Sequence, residues 1–452
     1  MAGPRTGMLE DMNVLRGRQR AGAAAVGVLA AAAVAVALAD NAREPSLAGG
    51  ERPAGAVSLG REALWSMEKA EGAVVRGRSV VVLGDRGQRG GTRVGVRDLE
   101  TGEQRWSLRD EEPLGEEPLG EDGGRGAARV ASAASEAPGS GADDRPLLVG
   151  DGDDWGVIVA YEKGRKGTAP EYGVAALSGK DGRPLWKRTL PGARDVRLMD
   201  ARDGRILVVG EGKGLADEST SYVLDAAREG RTVWKRTGHD VMLGFAGDVV
   251  LGERRRGLGI VEGAAVLARD ARTGKKLWDL AGSYYESRLQ AAVPGRAVVN
   301  TLGGREFGDP EHPAGLVLDT ATGRKTDDLG RASLRCAADP RDPLLACVES
   351  DGPRLVTLRA GRHDAPFRAR SEALEEGRSY EGRSVEAVRD GRVYVGSWGT
   401  YPRRTVVDRL GGELPGRPPG RVLDMTDDHA VLLTDGQDGA DRMAVHRVRK
   451  PR

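Results

Sequence analysis

The sequence predicts an all-β chain: a β-propeller of four-stranded antiparallel blades, eight by the first count and seven by the alternative, preceded by one N-terminal transmembrane helix. Three observations predict it. A short hairpin built on Asp-x-x-x-Gly-x-x-x-Trp recurs, with Trp186, Trp234 and Trp278 falling 48 and 44 residues apart. Glycine (67) and proline (22) make up about a fifth of the 452 residues, which favours many turns over long helices. Residues 21–39 (AGAAAVGVLAAAAVAVALA) are uncharged and close to the length a helix needs to span a bilayer.

That N-terminal run follows Arg16, Arg18 and Arg20 and precedes Asp40, Arg43 and Glu44. The positive flank places residues 1–20 in the cytoplasm and everything after residue 40 outside it. The run reads as an uncleaved signal anchor. A secretory signal peptide cut after Ala37-Leu38-Ala39 is the alternative, because that tripeptide fits the small-x-small cleavage rule. Cysteine does not follow the run, so a lipoprotein anchor is excluded. Residues 40–57 read as a flexible linker.

Residues 58–448 carry the repeats. Asp98–Gly102–Trp106, Ser178–Gly182–Trp186, Asp225–Gly230–Trp234 and Asp270–Gly274–Trp278 form the clearest hairpins. Asp319 and Gly323 make another, with Asp327 where tryptophan is expected, and Asp408 with Gly412 a fainter one. The physics of one copy is local. The Asp bonds its own backbone two residues on, the Gly takes positive φ to close the turn, and the following strand carries a ring able to pack between sheets. Upstream of several hairpins lies a second one, with turns at Asp203-Gly204, Gly247-Asp248, Pro294-Gly295 and Asp390-Gly391. Four strands per period of this length suggest propeller blades.

The blades are read at 70–108, 145–190, 195–236, 240–280, 288–329, 332–370 and 384–414. The last stretch, 421–448, offers three strands and no fourth. The segment REALWSM (61–67), with Trp65, is an orphan strand that would complete it. Joining the two ends closes the ring and removes an exposed edge. Residues 111–145, opening EEPLGEEPLGEDGG, read as a disordered acidic insertion.

These repeats resemble the PQQ-like β-propeller repeat family, over roughly residues 58–448. The family includes quinone-dependent alcohol dehydrogenases, BamB-like propellers and membrane-anchored actinobacterial propeller proteins. The arginine-, alanine- and glycine-rich usage here is similar to the last group. The enzyme branch would imply a quinone capped by adjacent cysteines and a Ca²⁺ held by Glu, Asn and Asp. That constellation does not map onto this chain, whose cysteines, Cys336 and Cys347, lie apart and whose asparagines are Asn13, Asn41 and Asn300. No cofactor and no catalytic residue is therefore expected.

The cysteines instead sit on adjacent predicted strands, SLRCAA and LLACVES, where a hairpin sets them opposite each other. A disulfide there would contribute roughly 2–3 kcal/mol in the chain-entropy account, and an extracytoplasmic location permits it. The tryptophans Trp65, Trp106, Trp186, Trp234 and Trp278 are expected to pack blades together, with Gly102, Gly182, Gly230, Gly274 and Gly323 at the repeat turns. Asp151, Asp153 and Asp154 resemble a calcium loop only loosely and read as a solvated turn. The five histidines are read as falling in different blades or loops.

With 69 basic against 68 acidic residues the chain lacks the basic excess of a nucleic-acid protein. The expected function is non-catalytic binding or scaffolding in the cell envelope, toward an envelope protein or cell-wall component. The alternative is a quinone- or metal-dependent oxidoreductase with a diverged site.

Overall fold

The computed structural model describes residues 58–449 except 60–61, 85–91, 110–113, 115–127, 133, 136–144, 166–167, 194, 212–217, 257–262, 282, 285, 303–314, 331–332, 339–343, 350–352, 361–364, 372–373, 375–381, 390, 398–403, 409–412, 415–417 and 436–440. The apolar run 21–39, the Ala39 junction and the 40–57 linker lie outside the described residues. Among the described residues no helix is long and apolar enough to cross a membrane.

The described residues form eight four-stranded antiparallel blades. Blades 1 to 7 occupy 70–109, 145–189, 196–238, 240–279, 286–330, 334–370 and 383–414. In each, sequence order is spatial order, as a meander of short turns requires. The first strands of successive blades neighbour one another around a central axis. Blade 8 is composite: Arg421–Met425, His429–Asp435 and Asp441–Arg449 come from the C-terminal end, and Trp65–Glu68 supplies the outer strand. Trp65 pairs Val445 and Glu68 pairs Arg442, so the ring is closed by both ends of the chain. Ser58–Leu59 continues that outer edge against Val448 and Arg449.

The core is distributed over the seams. Eight apolar clusters correspond one to one with the eight blade-to-blade contacts. Blade 1 shows why. In its second strand, Ser79–Gly84, Val81 and Leu83 enter the seam with blade 2. Val80 and Val82 enter the seam with blade 8. Alternate side chains leave opposite faces of a strand, and both faces are covered. Such a strand reads as an unbroken apolar run, SVVVLG, rather than as an alternating one.

The first strands are bent. In blades 1, 3, 4, 5, 7 and 8 the pairing of first and second strands slips by one residue. Such a bulge tightens the local twist. Carboxylates reach across seams to first-strand amides. Asp200 of blade 3 accepts from Phe245 N at 2.8 Å, and Asp424, at the same repeat position of blade 8, accepts from Val75 N at 2.6 Å. Glu253 of blade 4 does the same for Leu289 N.

Of the 111–145 insertion, residues 114, 128–132, 134–135 and 145 are described, and these pair and pack with the blades; the rest lies outside the described residues. Ala128–Ser132 is a strand that pairs with 160–163 of the second strand of blade 2. It extends that sheet beyond Arg145–Val149, which covers only 156–158. Ala134–Ser135 then pairs with Arg145 and Pro146 and, in parallel, with Leu198, linking blades 2 and 3. Leu114 and Val130 are buried in the seam between blades 1 and 2. The long second strand of blade 2, Gly156–Arg165, runs past Arg145–Val149, and Ala128–Ser132 pairs with the remaining edge.

Candidate functional site

The tryptophans and glycines singled out in the sequence meet each other across seams. The indole of each blade lies over the turn glycine of the next: Trp65 on Gly102, Trp106 on Gly182, Trp186 on Gly230, Trp234 on Gly274 and Trp278 on Gly323. A Cβ on Gly274 would fall 2.8 Å from Trp234 Cδ2, and one on Gly323 would fall 2.5 Å from Trp278 Cδ2. Only a residue without a Cβ admits the ring at that distance. The indole N–H is also used. Trp65 donates to Leu99 O at 2.9 Å, Trp106 to Gly179 O at 3.1 Å, Trp234 to Ala271 O at 3.0 Å and Trp278 to Thr320 O at 2.8 Å. Each of these indoles donates to a carbonyl of its neighbour's turn, which satisfies both polar groups across the seam.

The turn carboxylates hold those hairpins. Asp270 Oδ1 accepts from Arg272 N, Thr273 N and Thr273 Oγ1 at 3.1, 2.7 and 2.7 Å. The Thr273 hydroxyl, with the two amides, lowers the Asp270 pKa below the usual carboxylate value. In Asp98, burial alone raises the pKa, but bonds from Thr101, Arg105 and Glu100 outweigh it and lower it. Ser178 plays the same part in blade 2, accepting from Lys180 N at 3.2 Å.

Five consecutive seams, from blade 8/1 to blade 4/5, thus carry a tryptophan clasp. The seam between blades 5 and 6 uses polar ties. Asp327, in the tryptophan position, meets Arg368 at 2.5 Å. Asn300 donates to Leu334 O at 2.9 Å, and Arg354 donates to Leu329 O at 3.2 Å. Cys336 and Cys347 lie directly opposite in the first hairpin of blade 6 and are joined, with Cα atoms 4.0 Å apart.

Other charged groups are paired within or between blades. Asp240 holds Arg254 at 2.7 Å and Arg269 at 2.6 Å. Burial would raise the Asp240 pKa, and the two guanidinium groups bring it below the ordinary value instead. Glu100 of blade 1 lies 2.9 Å from both Arg447 and His429 of blade 8. The Glu386 pKa moves upward: burial raises it, against the opposing charges of Arg404 and Arg421. Its side chain occupies the space a Cβ on Gly396 would fill, 2.0 Å from that position.

Several sequence readings change or gain detail. His429 and His446 belong to one blade, not to different ones. Their strands are neighbours, and register places them on opposite faces, so they do not converge. Trp155, which the repeat pattern does not mark, is buried beside Gly179 in the seam between blades 1 and 2. Asp151 is fully exposed and pairs with Arg76 at 3.1 Å in a turn, as a solvated loop does.

The quinone site that the resemblance implies finds no fit in these residues. The cysteines are spent on a cross-strand bond, Asn300 bridges blades 5 and 6, and no three His, Cys, Asp or Glu side chains among the described residues converge as a metal site. Near the axis, a cleft lined by Arg145, Glu386, Arg389 and Asp424 has room of about 20 Å³, which suits a water molecule.

One cleft is larger. It spans about 490 Å³ on the turn side of blades 3 and 4 and is lined by Arg205, Asp225, Arg228, Arg231, Thr232, Val233 and Arg272.

No protein-family model matches the chain, and no curated protein matches it. Solved structures do. A europium-containing methanol dehydrogenase shares 12% identity over 85% of this chain and 88% of that chain, with a TM-score of 0.45. Chaetomium thermophilum Sqt1, solved bound to the N-terminus of the ribosomal protein L10, shares 12% over 88% and 99%, with a TM-score of 0.42. Kluyveromyces lactis Hsv2 shares 10% over 84% and 99%, with a TM-score of 0.35. These likenesses concern the fold and assign neither ligand nor activity.

Proposed function

We propose that this chain is a non-catalytic binding or scaffold protein of the cell envelope. Residues 21–39 anchor it, and the propeller faces outward as a fixed platform for an envelope protein or cell-wall component. The observation that carries this reading is the use of the ring's functional groups. Its indoles hold seams, its turn carboxylates hold hairpins and the Asp240 ion pairs tie strands within a blade, while its outer strands present side chains to solvent. Leu185, Val233 and Leu277, each just before a clasping tryptophan, are 56%, 40% and 42% exposed on the outer strands of three successive blades. Rigid scaffolds with exposed apolar positions suit partner binding, because little order must be imposed on association.

The test is affinity capture of the tagged full-length chain from solubilised membranes, against a control lacking residues 58–449. Reproducible enrichment of an envelope component by the full chain only is the expected result. An absence of enrichment, together with dye-linked dehydrogenase activity on adding quinone and Ca²⁺, would replace the platform with the oxidoreductase alternative.

A further inference from the structure

The cleft between blades 3 and 4 has the charge, size and wall chemistry of a ligand site. It gives the binding reading above a ligand class and rests on it. Four arginines from different elements converge there. Arg205 opens the second strand of blade 3, and Arg228 ends the short 3-10 turn Ala226–Arg228. Arg231 opens the outer strand of blade 3, and Arg272 lies in the matching turn of blade 4. Three carboxylates lie by them, the third being Asp270 in the turn that carries Arg272. Asp225 lies 3.5 Å from Arg228, and Asp248 is shared between Arg205 and Arg272 at 3.3 Å each. Asp225 also accepts from Ala227 N, so part of its capacity is committed to the turn. Arg231 makes no ion pair or side-chain hydrogen bond among the described residues and is exposed.

Four guanidinium groups against the carboxylates of Asp225, Asp248 and Asp270 leave an excess of one positive charge at one concavity. A phosphomonoester carries roughly −1.5 to −2 at neutral pH, opposite in sign to that excess. Guanidinium forks bind phosphate oxygens in pairs, and they form the preferred partners of such dianions. The volume, about 490 Å³, lies within the range of small-molecule sites. Val233 and Thr232 add an apolar wall and a hydroxyl beside the arginines, suited to the organic part of the ester.

We propose that this cleft binds an organic phosphomonoester, with Arg228 and Arg231 taking the phosphate from one side and Arg205 and Arg272 from the other. Binding displaces the weak exposed contacts to Asp248 and is strongest at low salt, because the site is open to water.

Isothermal titration of the full-length chain with glucose 6-phosphate, inorganic phosphate and gluconate tests this. Glucose 6-phosphate should bind more tightly than inorganic phosphate and gluconate. The R228A/R231A double variant should lose about tenfold or more in affinity, as removal of charge-assisted bonds implies. Both side chains are exposed, so its thermal unfolding should match that of the parent. Val233→Glu, which sets a carboxylate in the wall without removing an arginine, should weaken binding equally, whereas Arg183→Ala on blade 2 should not. Absence of glucose 6-phosphate binding by the parent, or affinity unchanged in R228A/R231A and V233E, would overturn the proposal. Partner capture that succeeds while these titrations fail would remove the cleft assignment alone and leave the platform standing.

Discussion

A glycine without a side chain and an indole with a large one are complementary only when they touch, and here they touch across blade boundaries. Gly274 has φ +69°, and an added Cβ would enter the Trp234 ring. Gly274→Ala therefore meets two costs, a left-handed backbone at about 1–2 kcal/mol and overpacking at about 1–3 kcal/mol. Gly77 has a similar φ of +56° and open space around it, so Gly77→Ala meets only the first. Denaturant unfolding of the two variants should show the larger loss for Gly274→Ala. Equal losses would mean that the clasp contributes nothing. At this scale the sequence is informative because the motif recurs, and recurrence exposes positions that one copy would hide. Trp155, Asn300 and Glu386 occur once each, and their partners are set by the fold. Nothing local marks Glu386 as tucked beneath Gly396, or Asn300 as the tie between blades 5 and 6.

At the scale of elements, each hairpin is a turn plus a carboxylate or hydroxyl that fixes it. Asp270, lowered first by the Thr273 hydroxyl, has a folded pKa below its unfolded one. Such a group contributes stability above the ordinary carboxylate pKa and loses it as pH falls through the folded value. Asp98 and Asp240 act in the same direction. Thermal midpoints should thus fall as pH is lowered below the ordinary carboxylate range. Asp270→Asn, which keeps an acceptor but no charge, should fall less steeply than the parent. Parallel curves for the two proteins would contradict the assignment. The hairpins were legible because turn residues sit at fixed offsets between apolar runs. The strand Ala128–Ser132 was not, since its pairing to 160–163 depends on an edge that another segment creates. Composition describes what a segment lacks; it does not show which open edge lies beside it.

The described residues form a ring whose seams are not equivalent. Blades 8, 1, 2, 3, 4 and 5 are joined in succession by indoles, while the seam between 5 and 6 relies on Asn300, Arg354 and the Asp327–Arg368 pair. A surface built on such a ring keeps its geometry only if the ring is shut. Closure was readable from an orphan strand at one end and a blade one strand short at the other. The cleft was not readable, because Arg205, Arg228, Arg231 and Arg272 are dispersed over two blades and only the fold brings them to one concavity. The ring depends most on closure by residues 65–68 against 442–445. The most direct test replaces Glu68 and Arg442, exposed and directly opposed, with cysteines in the full-length chain. Oxidation followed by proteolysis and mass analysis without reduction should yield one N-terminal peptide joined to one C-terminal peptide, beside the intact Cys336–Cys347 link. Free thiols at both new positions, or exchange with Cys336 and Cys347, would show that the ends do not meet in this register and would contradict the closed ring.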